Sequence, residues 1–302
     1  MKNKILLLIV VVLSVIAISG SKKETTYFNN AKKEEVKEEI KLALKDTSTG
    51  EIKNIELEDY IVGVVAGEMP ASFNEEALKA QAIASRTYAM YKMKNSNGTY
   101  DLVTDKTNQV YITEDKMKKL WQENFDYYFE KIKKAVYDTK DLIMTCNGNV
   151  ILSMYFARSN GKTEDAILVF GSNEEYLKSV ESPEESLISE VTISKDEFCN
   201  KLNISCDAIN ISNVLKSSSG RINSLNINGK TFKGTEIRTL FDLKSTDFDI
   251  SIGSEIKFVT KGYGHGVGMS QYGANKLAQN GKNYEEILKH YYQNINIEKI
   301  SV

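Results

Sequence analysis

Pro70, one of two prolines among 302 residues, marks the break that most constrains how this chain can fold. Ahead of it, Leu57-Glu58-Asp59-Tyr60 opens a helix with acids in its first turn, where the helix dipole favours them. The run Ile61-Val62-Gly63-Val64-Val65-Ala66-Gly67 continues it. A proline pushes its predecessor out of the helical region, so this helix must stop near Met69. Beyond the proline, Ser72 with Glu75 three residues on reads as a capping box for a second helix over roughly 74–92. That helix is rich in Ala and other small residues, so its neighbours pack closely against it. Gln81, Ser85 and Arg86 are polar positions within this buried-looking segment, and a buried Arg needs a partner or a ligand.

The same break isolates Glu68. A carboxylate at the C-terminal end of an apolar helix faces an unfavourable dipole, and Val64, Val65, Ala66 and Met69 offer it little solvation. Both effects raise its pKa, which suits a general acid working near neutral pH. The bland alternative is an ordinary surface Glu at a helix end. A second signal is Gly262-Tyr-Gly-His-Gly-Val-Gly268, where a glycine at every other position means backbone lying close to a ligand or to other backbone. It is no dinucleotide fingerprint, since no βαβ unit surrounds it and no acid follows. His265 lies inside it. A lone His is more often a structural hydrogen-bonder than a catalyst, but four flanking glycines argue for exposure in a cleft.

Composition works here by exclusion. With 39 Lys+Arg against 41 Asp+Glu, the chain has no broad basic surface, so nucleic acid is not expected as a partner. Two His and three Cys show no zinc spacing, and no metal or other cofactor is expected. Cys199 and Cys206 could pair with each other or stay as two buried thiols. Cys146 stands in an alternating apolar strand and reads as buried. Ser159-Asn160-Gly161-Lys162 matches an SxxK pattern, but its companion motifs SDN and KTG are missing.

Along the chain, Lys2 and Lys4 precede an apolar run of 14 residues, Ile5 to Ile18. Residues 1–21 thus read as a signal-anchor or transmembrane segment, cleaved or retained, with the remainder outside the membrane. Residues 22–50 read as a charged juxtamembrane linker. Within it KKEEVKEEIKLALKD could form an amphipathic helix carrying Val36, Ile40 and Leu44, although a solvated spacer is the preferred reading. The folded part is expected over 51–302. A third helical stretch follows a polar loop, with Trp121, Phe125, Tyr128 and Phe129 on its packing side. Asn147-Gly148 and Asn228-Gly229 signal hairpins. Residues 184–260 read as a smaller lobe, and Asn283 with Glu286 caps a last helix whose packing face is Tyr284, Ile287, Leu288 and Tyr291. The fold class is α+β: a helical catalytic lobe packed with mixed β-hairpins, a smaller α+β lobe, and a cleft between them.

Three long motifs carry a resemblance. Glu68-Met-Pro-Ala-Ser-Phe, Leu78-Lys-Ala-Gln81-Ala-Ile-Ala-Ser-Arg86-Thr-Tyr88-Ala and Gly264-His-Gly-Val-Gly-Met-Ser-Gln-Tyr-Gly-Ala274 resemble the stage II sporulation protein D family, which includes amidase-enhancer proteins. The similarity runs from about Ile52 to the C-terminus. It implies a membrane-anchored, extracytoplasmic lytic transglycosylase that cuts peptidoglycan glycan strands during forespore engulfment, with the stage II sporulation proteins M and P as partners. It also implies roles: Glu68 as the catalytic acid, and Gln81, Arg86, Tyr176, Lys178, His265, Ser270, Gln271 and Tyr272 as substrate-binding residues. Some members carry zinc ligands between the Ala-rich helix and Gln109. Residues 95–109 contain neither Cys nor His, which again argues against zinc. A non-catalytic wall-binding protein that stimulates a partner amidase is the alternative.

Overall fold

The computed structural model describes residues 39–105 and 107–300. The expected signal-anchor and most of the expected linker lie outside the described residues. The chain pattern KLALK alternates, and alternation puts Leu42 and Leu44 on one face of a strand. Strand β1 (Lys41–Lys45) buries both leucines and pairs antiparallel with β2 (Ile52–Glu56), Lys41 opposite Glu56 and Lys45 opposite Ile52. The fold therefore begins before residue 50. Helical spacing had grouped Leu44 with Ile40, but in this segment a period of two overrides it. Strand β3 (Leu102–Val103) adds to β1 in parallel.

Helix α1 (Leu57–Glu68) ends where the proline demands, with Met69 at φ −120°, ψ 144°. Helix α2 (Glu75–Lys94) is capped by Asn74, whose side chain accepts from the Glu76 N–H, and not by Ser72. The intervening residues form a turn in which the Phe73 N–H donates to the Pro70 carbonyl, so Ser72 sits too early to cap. Nearly all of α2 from Ala77 to Ala89 is buried, because its small side chains admit neighbours on every side. The expected third helix is two, α3 (Glu114–Trp121) and α4 (Phe125–Asp138), separated at Gln122, whose φ is +48°.

Strands β4 (Leu142–Cys146) and β5 (Asn149–Val150) form the expected hairpin, with Asn147 and Gly148 both left-handed. The next pieces are β6 (Tyr155–Phe156) and α5 (Ala166–Phe170). From there the chain builds β7 (Ile188–Ser194), α6 (Lys195–Leu202), β8 (Ile211–Lys216), β9 (Ile222–Ile227), β10 (Lys230–Lys233), α7 (Gly234–Leu240), β11 (Phe248–Ile252) and β12 (Glu255–Lys261). These give two three-stranded antiparallel sheets, ordered β10-β9-β8 and β11-β12-β7. The chain closes with β13 (Met269–Ser270), α8 (Gln271–Gln279), α9 (Tyr284–Tyr291) and β14 (Asn296–Lys299), the last pairing antiparallel with β4. Asn283 and Glu286 form the expected capping box of α9.

Two hydrophobic clusters result. One surrounds α2 and gathers α1, α4, α8, α9 and β4; the other, centred on Phe198, Phe241 and Phe258, fills the 188–261 segment. The Cys199–Cys206 pair, left open by the sequence, is a disulfide beside that second cluster, while Cys146 is free and buried.

Candidate active site

The end of α1 projects Glu68 into a cavity of about 290 Å³ lined also by Tyr88, Thr107, Asn108, Val110, Ser153, Met154, Tyr155 and His265. Among the described residues Glu68 is the only carboxylate on its wall. The segment 110–112 reaches this position because it lies directly on the α1 backbone. A Cβ on Gly67 would stand 2.3 Å from the Val110 carbonyl, and one on Gly63 2.3 Å from the Tyr111 ring. Close approach lets the Val110 N–H donate to Glu68 Oε1 at 2.7 Å. The Gln271 amide donates to Oε2 at 3.2 Å, and the Tyr155 hydroxyl hydrogen-bonds the same carboxylate. Burial pushes the Glu68 pKa up, and these three donors hold it back. No Lys or Arg among the described residues pairs with it.

Beneath the carboxylate runs a buried polar network. The Gln271 amide also reaches Gln81 Oε1 at 3.5 Å, and the Gln81 amide donates to Ser85 Oγ at 2.9 Å. Gln109 accepts from the Tyr60 hydroxyl at 3.1 Å and donates to the Tyr155 hydroxyl at 2.8 Å and the Ser85 carbonyl at 3.3 Å. Each member thus fixes the next, which a buried polar network requires if it is to be rigid.

The glycine run supplies the opposite wall. Gly262, Gly264, Gly266 and Gly268 all have φ between +75° and +118°. A Cβ on Gly264 would meet Phe156 Cβ at 2.7 Å, and one on Gly268 the Met154 carbonyl at 2.0 Å. The close approach read from the sequence is therefore to the chain itself: to backbone at Gly262 and Gly268, and to the Phe156 and Arg221 side chains at Gly264 and Gly266. His265 is half-buried on the cavity wall, not freely exposed. Its Nδ1 accepts from the Val267 N–H and its Nε2 donates to the Tyr155 carbonyl, both at 3.1 Å. Burial lowers its pKa to about 4, aided by Arg238 and Arg221, so the ring is neutral and both nitrogens are spent on backbone. Tyr88 and Tyr155 are pushed up by burial and stay protonated, able to donate but not to act as bases.

Of the other sequence-derived site residues, Gln271 and Gln81 join Glu68 and its network, but several stand elsewhere. Arg86 is fully buried in a bidentate pair with Glu58, Nε to Oε1 at 2.8 Å and Nη2 to Oε2 at 2.6 Å. It also donates to the Leu142 and Val136 carbonyls at 3.1 Å, tying α2 to α1, α4 and β4. The buried Arg has found its partner within the fold, and it does not reach the cavity. Tyr176 is buried, its hydroxyl accepting from the Leu152 N–H at 3.3 Å, and Lys178 is bound to Asn173 at 2.6 Å. Ser270 caps α8 and bonds Glu184. Tyr272 packs against Arg158 and Phe73 and does not line the Glu68 cavity. Nor does residue 184–260 supply a lining residue, so the cavity lies within the helical part and not between two lobes.

Gln109, Val110 and Tyr155 were missed. Gln109 and Tyr155 offer only a polar and a phenolic side chain in short segments that read as loop and strand, and Val110, which acts through its backbone N–H, offers no side-chain signal. Among the described residues no three His, Cys, Asp or Glu side chains converge as a metal ligand set.

Comparison with known proteins places this geometry in a lineage. The SpoIID family model, described as Stage II sporulation protein, matches residues 45–146, which include Glu68, Arg86 and Gln109. Stage II sporulation protein D of Bacillus subtilis (strain 168) is 39% identical over 265 residues, covering 84% of this chain and 77% of that protein. The protein of the same name from Bacillus amyloliquefaciens matches at 39% with the same coverage. A protein named Amidase enhancer from Bacillus subtilis is 30% identical over 292 residues, covering 76% of this chain and 39% of that one. Similarity of this extent, running through the Glu68 helix and the Ala-rich helix behind it, makes the chain a member of the stage II sporulation protein D family.

Proposed function

We propose that this sporulation protein is a peptidoglycan lytic transglycosylase in which Glu68 serves both as acid and as base. One observation carries the reading: a single carboxylate, its pKa raised by burial, stands in a cavity with no second acid on its wall among the described residues. Glycosidases that add water use two carboxyl groups, about 5–9 Å apart depending on the outcome. A transglycosylase needs one, because the sugar's own C6 hydroxyl is the nucleophile.

Protonated Glu68 donates to the oxygen between N-acetylmuramic acid and N-acetylglucosamine as the C1–O bond breaks. The ionised Glu68 then takes the C6 hydroxyl proton as the C6–O–C1 bond closes the 1,6-anhydro ring. The leaving strand keeps the first proton and Glu68 recovers the second, so no water is consumed. The geometry suits both halves: desolvation favours the acid form before the first step, and the donors from Val110, Gln271 and Tyr155 stabilise the carboxylate between the steps. His265, with both nitrogens engaged, shapes the wall and leaves proton transfer to Glu68. Arg86 acts by holding the helices that position Glu68.

The proposed setting is the outer face of the engulfing membrane, with residues 1–21 as the anchor and the stage II proteins M and P as neighbours, as the family resemblance implies. The test is mass spectrometry of products from peptide-free glycan strands incubated with the purified protein alone. Products ending in 1,6-anhydro-N-acetylmuramic acid are expected, and Glu68→Gln should abolish them; products that persist in that variant would sink the mechanism. Because one relative is named Amidase enhancer, a second reading is that the protein binds strands and stimulates a separate amidase. Strands bound but uncut in the same assay would establish that alternative.

A further inference from the structure

A second cavity, of about 220 Å³, is also lined by α8, but neither Gln271 nor Glu68 reaches it. One face of α8 lines it with Tyr272, Asn275, Lys276 and Gln279, at the i, i+3, i+4, i+7 spacing of a helical stripe. The facing wall holds Arg158, Glu184 and Glu185. Arg158 is one of only four arginines, and its use is unusual. Its Cζ lies 3.6 Å above the centroid of the Tyr272 ring, which is itself braced edge-on by Phe73 at 4.9 Å. Stacking on the ring face fixes the plane of the guanidinium and leaves its N–H edge free. Among the described residues no carboxylate, carbonyl or hydroxyl takes those donors. Glu184, on the same wall, is spent elsewhere: it accepts from the Ser159 N–H at 2.7 Å, the Ser182 hydroxyl at 2.6 Å and the Ser270 hydroxyl. Asn275 gives its Oδ1 to the Asn74 N–H at 2.8 Å, which leaves its amide donor facing outward.

A planar guanidinium with an open fork, backed by an aromatic ring and a nearby ammonium, is built to receive a carboxylate in bidentate fashion. Glu185 on the same wall argues against a bare polyanion and for a ligand that also carries hydroxyl or amide donors. We propose that Arg158 and Tyr272, with Lys276, form a carboxylate subsite for a wall fragment bearing both an acid and sugar or peptide N–H and O–H groups. Two sources share that chemistry: the lactyl carboxylate of an N-acetylmuramic acid freed of its stem peptide, and the terminal carboxylate of a stem peptide. The proposal rests on peptidoglycan being the substrate, but not on Glu68 cutting it.

The test is ligand binding by the full-length chain, read by saturation-transfer NMR and calorimetry, so that no cleavage is needed. N-acetylmuramic acid, N-acetylglucosamine and a sugar-free stem peptide ending in D-alanine are compared. One of the two acids should bind at least tenfold more tightly than N-acetylglucosamine, and whichever does identifies the source. Arg158→Ala should erase that preference while the melting midpoint shows the fold intact. Arg158→Lys keeps the charge but not the fork and should lose most of the preference, which covers the case in which the alanine variant fails to fold. Lys276→Gln should weaken it about threefold. Equal binding of all three ligands, or a preference that survives both Arg158 variants, would overturn the subsite. If strands prove uncut while the Arg158-dependent preference holds, the transglycosylase reading fails and the subsite stands.

Discussion

Each end of α1 carries a glutamate drawn out of bulk water, Glu58 buried and Glu68 half-buried, and the fold treats them in opposite ways. Glu58, in the first turn, sits where the helix dipole welcomes a negative charge and meets the Arg86 guanidinium at 2.6 and 2.8 Å. Glu68, in the last turn, has the dipole against it and receives neutral donors only: a backbone N–H, an amide and a phenol. The first glutamate is compensated and holds helices together. The second is left uncompensated, and burial raises its pKa toward the range in which an acid can give up and recover a proton. Within twelve residues, then, burial produces a structural tie at one end and a chemical group at the other. The presence or absence of a cation decides between them.

That contrast can be broken most severely at Glu68. Glu68→Gln should cut formation of anhydro products by about 10³–10⁴-fold, the upper range for a general acid-base group, because both steps use it. Next in size is Arg86→Met, which strands a buried Glu58 charge and should cost about 3–5 kcal/mol in urea unfolding. Adding Glu58→Leu should recover most of that loss. If Arg86→Met instead kept its stability and lost only activity, Arg86 would be a substrate contact after all.

His265 gives a smaller and pH-dependent effect. Its folded pKa, about 4, lies below the ordinary histidine value, so the unfolded chain binds the extra proton first as pH falls. Stability is fully present above about pH 6.5 and declines toward pH 4, by up to about 3 kcal/mol. Protonation would also break the Val267 N–H to Nδ1 bond, since both ring nitrogens would then be donors. Melting midpoints of the parent and His265→Asn should converge as the pH is lowered through this window; a constant difference would refute the assignment.

The smallest effect returns to Glu68. Its raised pKa means that the folded state binds the proton more tightly, so its contribution to stability falls as pH rises from the unfolded carboxylate value through the folded one. Glu68→Gln should therefore melt slightly higher than the parent at neutral pH, with the gap closing in acid. A variant that melts lower at neutral pH would show the carboxylate to be structural.

How much of this was legible beforehand differs residue by residue. Glu68 was readable because its cause is local: a proline two residues on ends the helix, and apolar neighbours strip its solvation. The hairpins at Asn147-Gly148 and Asn228-Gly229 and the capping box at Asn283 were readable for the same reason. Ser72 was misread as a cap because Asn74 stands closer to the first helical turn. KLALK, read as part of a solvated spacer with a helix as the alternative, is a strand, because five residues satisfy helical and strand spacing alike and only pairing with β2 chooses. The glycine run was readable as a close approach to a ligand or to other backbone; the structure fills it with backbone at two glycines and with the Phe156 and Arg221 side chains at the other two. Gln109 and Tyr155 carried no local signal beyond a polar and a phenolic side chain. They matter because segments 46 residues apart meet under Glu68.

The sequence by itself determined that a helix stops before Pro70 and that the chain turns at its Asn-Gly pairs, and it marked a glutamate and an arginine eighteen residues apart as candidates for low-solvent surroundings. These are properties of a residue and its immediate neighbours. Only the tertiary structure decided which of the two was neutralised: Arg86 by Glu58, a residue 28 positions away, and Glu68 by no cation among the described residues. Charge compensation falls off steeply with distance and strengthens as water is excluded. Both quantities are set by how distant segments pack, so the chemical role of a buried charge is written in the fold.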